Sequence, residues 1–509
     1  MSHDVVVAGA GAAGCVLAAR LSADPRCSVL LLEAGPDHPT SADLPPDVAD
    51  AREPTTGHDW GYVAEADDAG RTLALPRGKL VGGCSATNGA FLMRGWPADY
   101  DGWAAAGNPG WSFDEVLPLM RAIEADADFA DDWHGKDGPL PVVRLRPGEL
   151  SAPQRAFGDA AVAAGYAPVA DHNRPGAIGV GLLPRNVDGA LRMGTARTHL
   201  DPVRGRPNLT VRPGALVDRV EVAGGRACGV RLADGEVIGA GRVVLAAGAY
   251  GSPAILLRTG IGPAADLAEH QIAVLVDLPG VGANLVDHPL CSVDLPVAGG
   301  FDGPRFQVMM TLRSSLAGPD DPPDLHIFGA GPWDNPELPA GGVFALVTGL
   351  ITVRSRGSVR LRSANPARAP RIEPAHLRHP DDLARLVEAT VIARRIARTP
   401  PLARLVLGEE LSPGPGVRDD DTRALAASIR ERVGTYHHPV GTCAMGPDPG
   451  AGAVVDARGA VHGVAGLWIA DASVMPTVPS SNTFHPTVVL AERIGGWLAG
   501  GADAPAPPG

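Results

Sequence analysis

Apolar positions along the chain fall into short β-branched runs separated by glycine turns and proline-rich stretches, with helical spacing in only a few places. Asp4 to Ala8 is an apolar run, Gly9 to Gly14 a glycine turn, Cys15 to Leu21 a small-residue helix, and Ser28 to Leu32 a second apolar run ending at Glu33. This order predicts a β-α-β unit. Pro36, Pro39, Pro45, Pro46 and Pro54 interrupt any element in the first half of residues 36–75, so that stretch reads as loop, extended segment or lid. A second glycine-rich stretch follows from Gly78 to Gly89. Ser112 to Ala127 then has helical spacing, with Ser112 as cap and Phe113, Val116, Leu117, Met120 and Ile123 on one face. Beyond that helix, loop and strand alternate.

Asn208 to Val211, Ala215 to Val222, Ala227 to Leu232 and Arg242 to Ala247 read as strands. The last runs into Ala246-Ala247-Gly248-Ala249, small residues that let backbone approach a ligand. From about Leu290 to Thr435 the pattern is of strands, such as Val343 to Thr352 and Ser358 to Leu361, with a helix from Pro380 to about Arg398. Val488 to Leu498 reads as an amphipathic C-terminal helix. These elements predict an α/β (α+β overall) protein with a Rossmann-like nucleotide-binding domain and a second domain of mainly antiparallel sheet flanked by helices. The expected division is 1–150, 205–290 and 436–500 for the discontinuous first domain, 151–204 and 291–435 for the second, and 501–509 as a disordered tail.

Length and composition narrow the class. A chain of 509 residues exceeds a single core, and 45% apolar with 20% charged residues excludes general disorder. Net charge is −13, only Lys79 and Lys136 are lysines, and no basic block exists, so a nucleic-acid partner is not expected. Six scattered cysteines form no C-x-x-C pair and no zinc spacing, so no metal site is expected and a reducing, cytoplasmic location fits. No signal-peptide pattern opens the chain, and no run of 18 apolar residues predicts an integral membrane segment. The 65 glycines and 49 prolines imply extensive loop, or backbone brought close to a ligand.

The glycine turn carries the first chemistry. Gly9-Ala10-Gly11-Ala12-Ala13-Gly14 matches G-x-G-x-x-G after a strand and at the start of a helix: one glycine for the tight turn, one to admit a pyrophosphate, one for helix-on-strand packing. Glu33, closing the next strand, would accept hydrogen bonds from a ribose diol and repel a 2′-phosphate. That selects FAD or NAD over NADP.

Further segments, in order along the chain, resemble the glucose-methanol-choline (GMC) flavin oxidoreductases, of the choline dehydrogenase and hydroxymethylfurfural oxidase branch. Gly78-Lys79-Leu80-Val81-Gly82-Gly83-Cys84-Ser85-Ala86-Thr87-Asn88 is similar to one signature of that family, and Gly248-Ala249-Tyr250-Gly251-Ser252-Pro253 through Gly262 to a second, with Thr259 where serine is usual. Leu278 to Leu285 followed by Asp287-His288-Pro289, then Tyr436 to Cys443, Asp471 to Pro476 and Ser481-Asn482-Thr483, resemble other family stretches. The resemblance implies FAD held by Gly9, Gly11, Ala12, Ala13, Gly14, Glu33 and Ala34, with Val81, Gly83, Asn88 and Gly89 along the flavin. It further implies Val217 on the adenine side, Asp471 and Ala472 near the ribityl chain and pyrophosphate, and Phe484 near the pyrimidine ring. Thr87 stands where covalent members place a histidine, so the FAD is expected to be non-covalent. Cys84 stands where many relatives have Gly or Ser.

The implied reaction is oxidation of a primary alcohol to an aldehyde by hydride transfer to flavin N(5), with His438 as base and Asn482 as hydrogen-bond partner. Phe484 replaces a second asparagine of the usual N-T-N-x-P-T, and His485 is assigned a place beside the helix start or flavin edge. His437 is expected to be a packed or surface residue, and His134, His288 and His326 to be structural. The expected partners are a small-molecule alcohol and dioxygen or a quinone-type electron acceptor. The alternative is a hydroxynitrile lyase-like flavoprotein of the same family that does no redox turnover.

Overall fold

The computed structural model describes residues 2–65, 67 and 70–500; the tail 501–509 lies outside the described residues. β1 (Ser2–Ala8) is buried from Val5 onward and leads through the glycine turn into α1 (Ala12–Leu21), which starts three residues before the expected Cys15. β2 (Val29–Leu32) is buried at every position. Four strands from mid-chain join these two: β3 (Leu209–Arg212), β4 (Val217–Ala223), β5 (Arg226–Leu232) and β6 (Val237–Leu245). The sheet order is β4-β5-β6-β1-β2-β3, and the short strand Leu467–Ile469 also pairs with β6, in parallel. The centre is parallel, with Val5 opposite both Val29 and Arg242, while β4 and β5 form an antiparallel extension. Unbroken apolar runs such as Val-Leu-Leu-Leu belong in strands covered on both faces, as here.

α2 (Gly248–Thr259) follows β6 although it contains Gly248, Gly251 and Pro253. Pro253 inside it has no N–H for the carbonyl of Ala249 one turn earlier. The Thr442 hydroxyl donates to that carbonyl instead (2.7 Å), and the helix continues through the proline.

The second sheet is built on four long strands, β7 (Pro289–Ala298), β8 (Phe306–Leu312), β9 (Leu325–Asp334) and β10 (Gly341–Leu350). They lie in the order β7-β10-β9-β8 and pair antiparallel. Gly434–Thr435 extends one edge and Gly179–Leu182 and Pro168–Val169 the other. α3 (Pro380–Ala397) packs on β7, β9 and β10 through Leu386, Ala389, Ala393 and Ile396. The expected α/β architecture with a second, mainly antiparallel sheet is the one observed.

Several expected boundaries differ. The helix read over Ser112 to Ala127 is Phe113–Ile123, because Glu124 turns extended (φ −100°, ψ 146°) and Glu124–Asp126 pairs with Leu140–Val142. This turns the Glu124 and Asp126 side chains into buried ion pairs. The C-terminal helix, α4 (Phe484–Ala499), begins four residues earlier than Val488; Pro486 is tolerated in its first turn, where N–H groups have no partner in the helix. Pro97–Ala105 and Ala152–Ala163 are helices that the pattern did not indicate.

Candidate active site

A cavity of about 880 Å³ opens between the two sheets, at the large end for small-ligand sites. From the first sheet and its loops, Gly9, Gly11, Ala12, Ala13, Glu33, Ala34, Gly83, Asn88, Gly89, Val217, Asp471 and Ala472 line it; His438, Asn482 and Phe484 line it as well. Gly14 and Val81 do not. A Cβ on Gly14 would stand 1.9 Å from the Gly9 carbonyl oxygen, so Gly14 serves helix-on-strand packing. The Val81 side chain lies in the core, and its N–H donates to the Pro36 carbonyl (2.9 Å), tying down the following loop.

The glycine turn tests whether a dinucleotide suits the cavity. Gly9 has φ +105°, and a Cβ there would lie 2.5 Å from the Ala246 oxygen. Gly11 is different: its φ is −75°, and a Cβ would meet nothing closer than Gly83 Cα at 4.0 Å. Neither conformation nor protein packing requires glycine at position 11. A side chain there would take space from the cavity at the N-terminus of α1, which has no side-chain cap. The unpartnered N–H groups and positive dipole end of a helix form an anion site, so these residues suit the pyrophosphate of a dinucleotide.

Glu33 is buried and accepts from the N–H groups of Ala10 (3.0 Å) and Gly35 (2.8 Å). Burial raises its pKa above the ordinary carboxyl range. Its carboxylate therefore holds the turn in shape and, with further lone pairs, can accept from a ribose. Asp471 accepts from Gly248 N–H (2.8 Å), the Ser252 hydroxyl (2.6 Å) and Ser473 N–H (2.8 Å), clamping the start of α2 to the loop after Leu467–Ile469.

His438 and Asn482 come together although 44 positions separate them: Asn482 Nδ2 donates to His438 Nε2 (3.2 Å). Burial first, then the nearby His288, His437, Arg77 and His326, holds His438 well below the ordinary histidine range, so its ring is neutral near pH 7. Asn482 Oδ1 is buried without a partner. Asp287 fixes the backbone here, accepting from His438 N–H (2.8 Å) and from the Thr435 hydroxyl. The same Thr435 oxygen accepts from His437 N–H (2.8 Å), and these contacts hold His437 at φ +67°, a conformation that costs about 1–2 kcal/mol. His437, expected to be packed or at the surface, is exposed and lines the cavity.

His288, expected to be structural, lies against the pair: its Nδ1 is 2.9 Å from His438 Nδ1. Asp287-His288-Pro289 was the available sequence signal, but nothing in it indicated pairing with a residue 150 positions away. His485 lies away from this pair, 3.0 Å from buried Glu124, which also binds Arg94 (2.7 Å). Position 485 thus anchors the start of α4.

The wall opposite is one face of the second sheet. Leu290, Ser292 and Asp294 of β7, Ala345 and Val347 of β10, and Phe328 and Ala330 of β9 alternate onto it, with Asp294 opposite Ala345 and Ala345 opposite Ala330. Phe91, Phe306 and Phe328 pack edge-to-face on one another, Trp333 packs on Phe306, and Tyr436 stacks on Phe328 with centroids 5.3 Å apart. Of these aromatics only Tyr436 lay in a stretch singled out from the sequence; the others meet through the sheet register and the loop that carries Phe91.

A nucleotide sheet with a parallel centre and a second sheet closing the cavity are the frame of a flavin-dependent oxidoreductase, the class to which the family matches assign the chain. The GMC oxidoreductase family models match residues 3–290 and 353–491, and the chain belongs to that family of FAD-binding flavoproteins, which oxidise alcohols. It is 37% identical to 5-(hydroxymethyl)furfural oxidase of Methylovorus sp. (strain MP688), covering 96% of this chain and 97% of that one. It is 33% identical to oxygen-dependent choline dehydrogenase of Brucella anthropi, covering 98% and 96%. Its structure is similar to pyridoxine 4-oxidase from Mesorbium loti, with TM-score 0.89, 33% identity and coverage of 97% and 98%. Among the described residues no helix is long and apolar enough to cross a membrane.

Proposed function

We propose that this chain oxidises a primary alcohol to its aldehyde, with His438 as base and Asn482 as hydrogen-bond partner. The observation that carries the reading is the neutral His438 Nε2 and the Asn482 amide nitrogen, 3.2 Å apart on the wall of a cavity shared by both sheets. His438 Nε2 takes the hydroxyl proton, and Asn482 Nδ2, which carries no charge and cannot compete for that proton, donates to the same oxygen as negative charge develops. The surrounding side chains orient the alcohol and exclude water. FAD, when bound non-covalently along Gly11, Ala12, Ala13, Glu33, Gly83, Asn88, Val217, Asp471, Ala472 and Phe484, supplies the acceptor for the hydride that leaves the carbinol carbon.

The aromatic wall supports a flat alcohol as substrate, and the final electron acceptor is dioxygen or a quinone. The two sheets support a division into an FAD-binding part, 1–150, 205–290 and 436–500, and a substrate part, 151–204 and 291–435. Anaerobic mixing of the holoenzyme with a panel of primary alcohols is expected to bleach the flavin band. His438→Ala should slow bleaching by about 10²–10⁴-fold. An unchanged rate overturns the assignment of the base, and cyanide release from a cyanohydrin without bleaching overturns the redox reading. Acid precipitation should leave FAD in the supernatant; colour retained in the pellet would contradict a non-covalent flavin.

A further inference from the structure

We propose that His288 sets the tautomer of His438, accepting the His438 Nδ1 proton on its own Nδ1 and so keeping the Nε2 lone pair of His438 directed to the cavity. The inference rests on the reading of His438 as base.

Two imidazole nitrogens 2.9 Å apart share one proton, because two lone pairs would repel and two N–H groups would clash. The rings meet nearly perpendicular, at 87°, with centroids 5.1 Å apart. Which ring supplies that proton can be read from the other side of His438. There the Asn482 amide nitrogen, a donor only, lies 3.2 Å from Nε2, so Nε2 must accept. The proton of neutral His438 is then on Nδ1, and His288 Nδ1 accepts it. Neutral His288 in turn carries its own proton on Nε2, a buried nitrogen without a hydrogen-bond partner of standard geometry.

This tautomer is the one a base requires, since a proton on Nε2 would face the substrate hydroxyl with N–H. When Nε2 takes the substrate proton, Nδ1–H already donates to His288, and the Asn482 amide shifts its donation from Nε2 to the substrate oxygen. Asp287, Arg77, His326, His376, His437 and Tyr436 surround the pair; Asp287 is spent on the His438 backbone and the Thr435 hydroxyl and does not hydrogen-bond to either ring. His288 is a positioning residue, acting through His438.

The test uses holoenzyme with ¹⁵N-labelled histidine, observed by long-range ¹H–¹⁵N correlation, with His438 assigned by its loss in His438→Gln. The expected result is His438 protonated at Nδ1 and bare at Nε2; the opposite tautomer, which an Asn482 amide turned over would produce, overturns the proposal. His288→Leu should lower kcat about 10²-fold at nearly constant KM. His288→Asn, whose Oδ1 replaces the Nδ1 acceptor, should recover most of that loss. If His288→Leu keeps full kcat while His438→Ala collapses, the tautomer proposal fails and the base stands. If His438→Ala is harmless, the base reading itself fails. Should His288→Leu not bind flavin or fold, the spectrum of the unaltered protein decides alone.

Discussion

At the residue scale, Gly9, Gly11 and Gly14 share one motif but meet three different requirements: a left-handed φ, an open space, and contact with a neighbouring carbonyl. Substitutions should separate them. Gly11→Ala is expected to leave the thermal midpoint of the apoprotein unchanged while weakening FAD binding at least 10-fold, about 1.4 kcal/mol, by titration of apoprotein with FAD. Gly14→Ala, with its Cβ forced to 1.9 Å from an oxygen, should instead lower the thermal midpoint or prevent soluble expression. Equal losses of stability in both variants would contradict this division. The motif already gave its third glycine to helix-on-strand packing, and the Gly14 contact fits that; Val81 was placed by resemblance, and its side chain packs in the core. His438 and Asn482 were legible through resemblance to a family pattern. His288 was not, since its contact depends on two loops meeting in space.

At the element scale, α2 shows what local sequence omits. Gly248, Gly251 and Pro253 all oppose a helix, and the group that repairs the ladder, Thr442, lies far along the chain. Thr442→Val removes the donor and keeps the shape. It should cost about 1–3 kcal/mol through the buried Ala249 carbonyl left unsatisfied, read as a lower urea midpoint, while Thr442→Ser should cost much less. An unaltered midpoint in Thr442→Val would mean that the carbonyl finds another donor. By contrast, β2 and the buried ends of β1 and β6, Val5–Ala8 and Val243–Leu245, were legible because buried parallel strands write themselves as continuous apolar runs. The helix expected to reach Ala127 stopped at Ile123 because Glu124 answers to Arg94 and His485, partners no helical period encodes.

At the scale of the whole molecule, buried histidines set how stability depends on pH. Burial holds His172, His199 and His288 at about 4. Below the ordinary value of about 6.5 the unfolded chain takes up protons that these rings refuse, so their contribution is present above 6.5 and is lost as pH falls towards 4. His134 behaves oppositely. Burial lowers its pKa, but Asp126 (3.2 Å) and Asp171 (2.9 Å) outweigh that and raise it to about 9. Its contribution is complete below 6.5 and is lost as pH rises through 9. The thermal midpoint should therefore peak near pH 6.5–7, and His134→Gln should flatten the alkaline side while leaving the acid side; an unchanged alkaline slope would contradict this role.

The way the first sheet is assembled also bears on how the protein is made. β1 opens that sheet, yet Leu467–Ile469 and α4, which packs on α1 through Gly495 against Leu17 and Glu492 against Arg20 (2.8 Å), are translated only after the entire second sheet. During synthesis the nucleotide cleft can therefore be completed only after the last strand and helix of the chain have emerged.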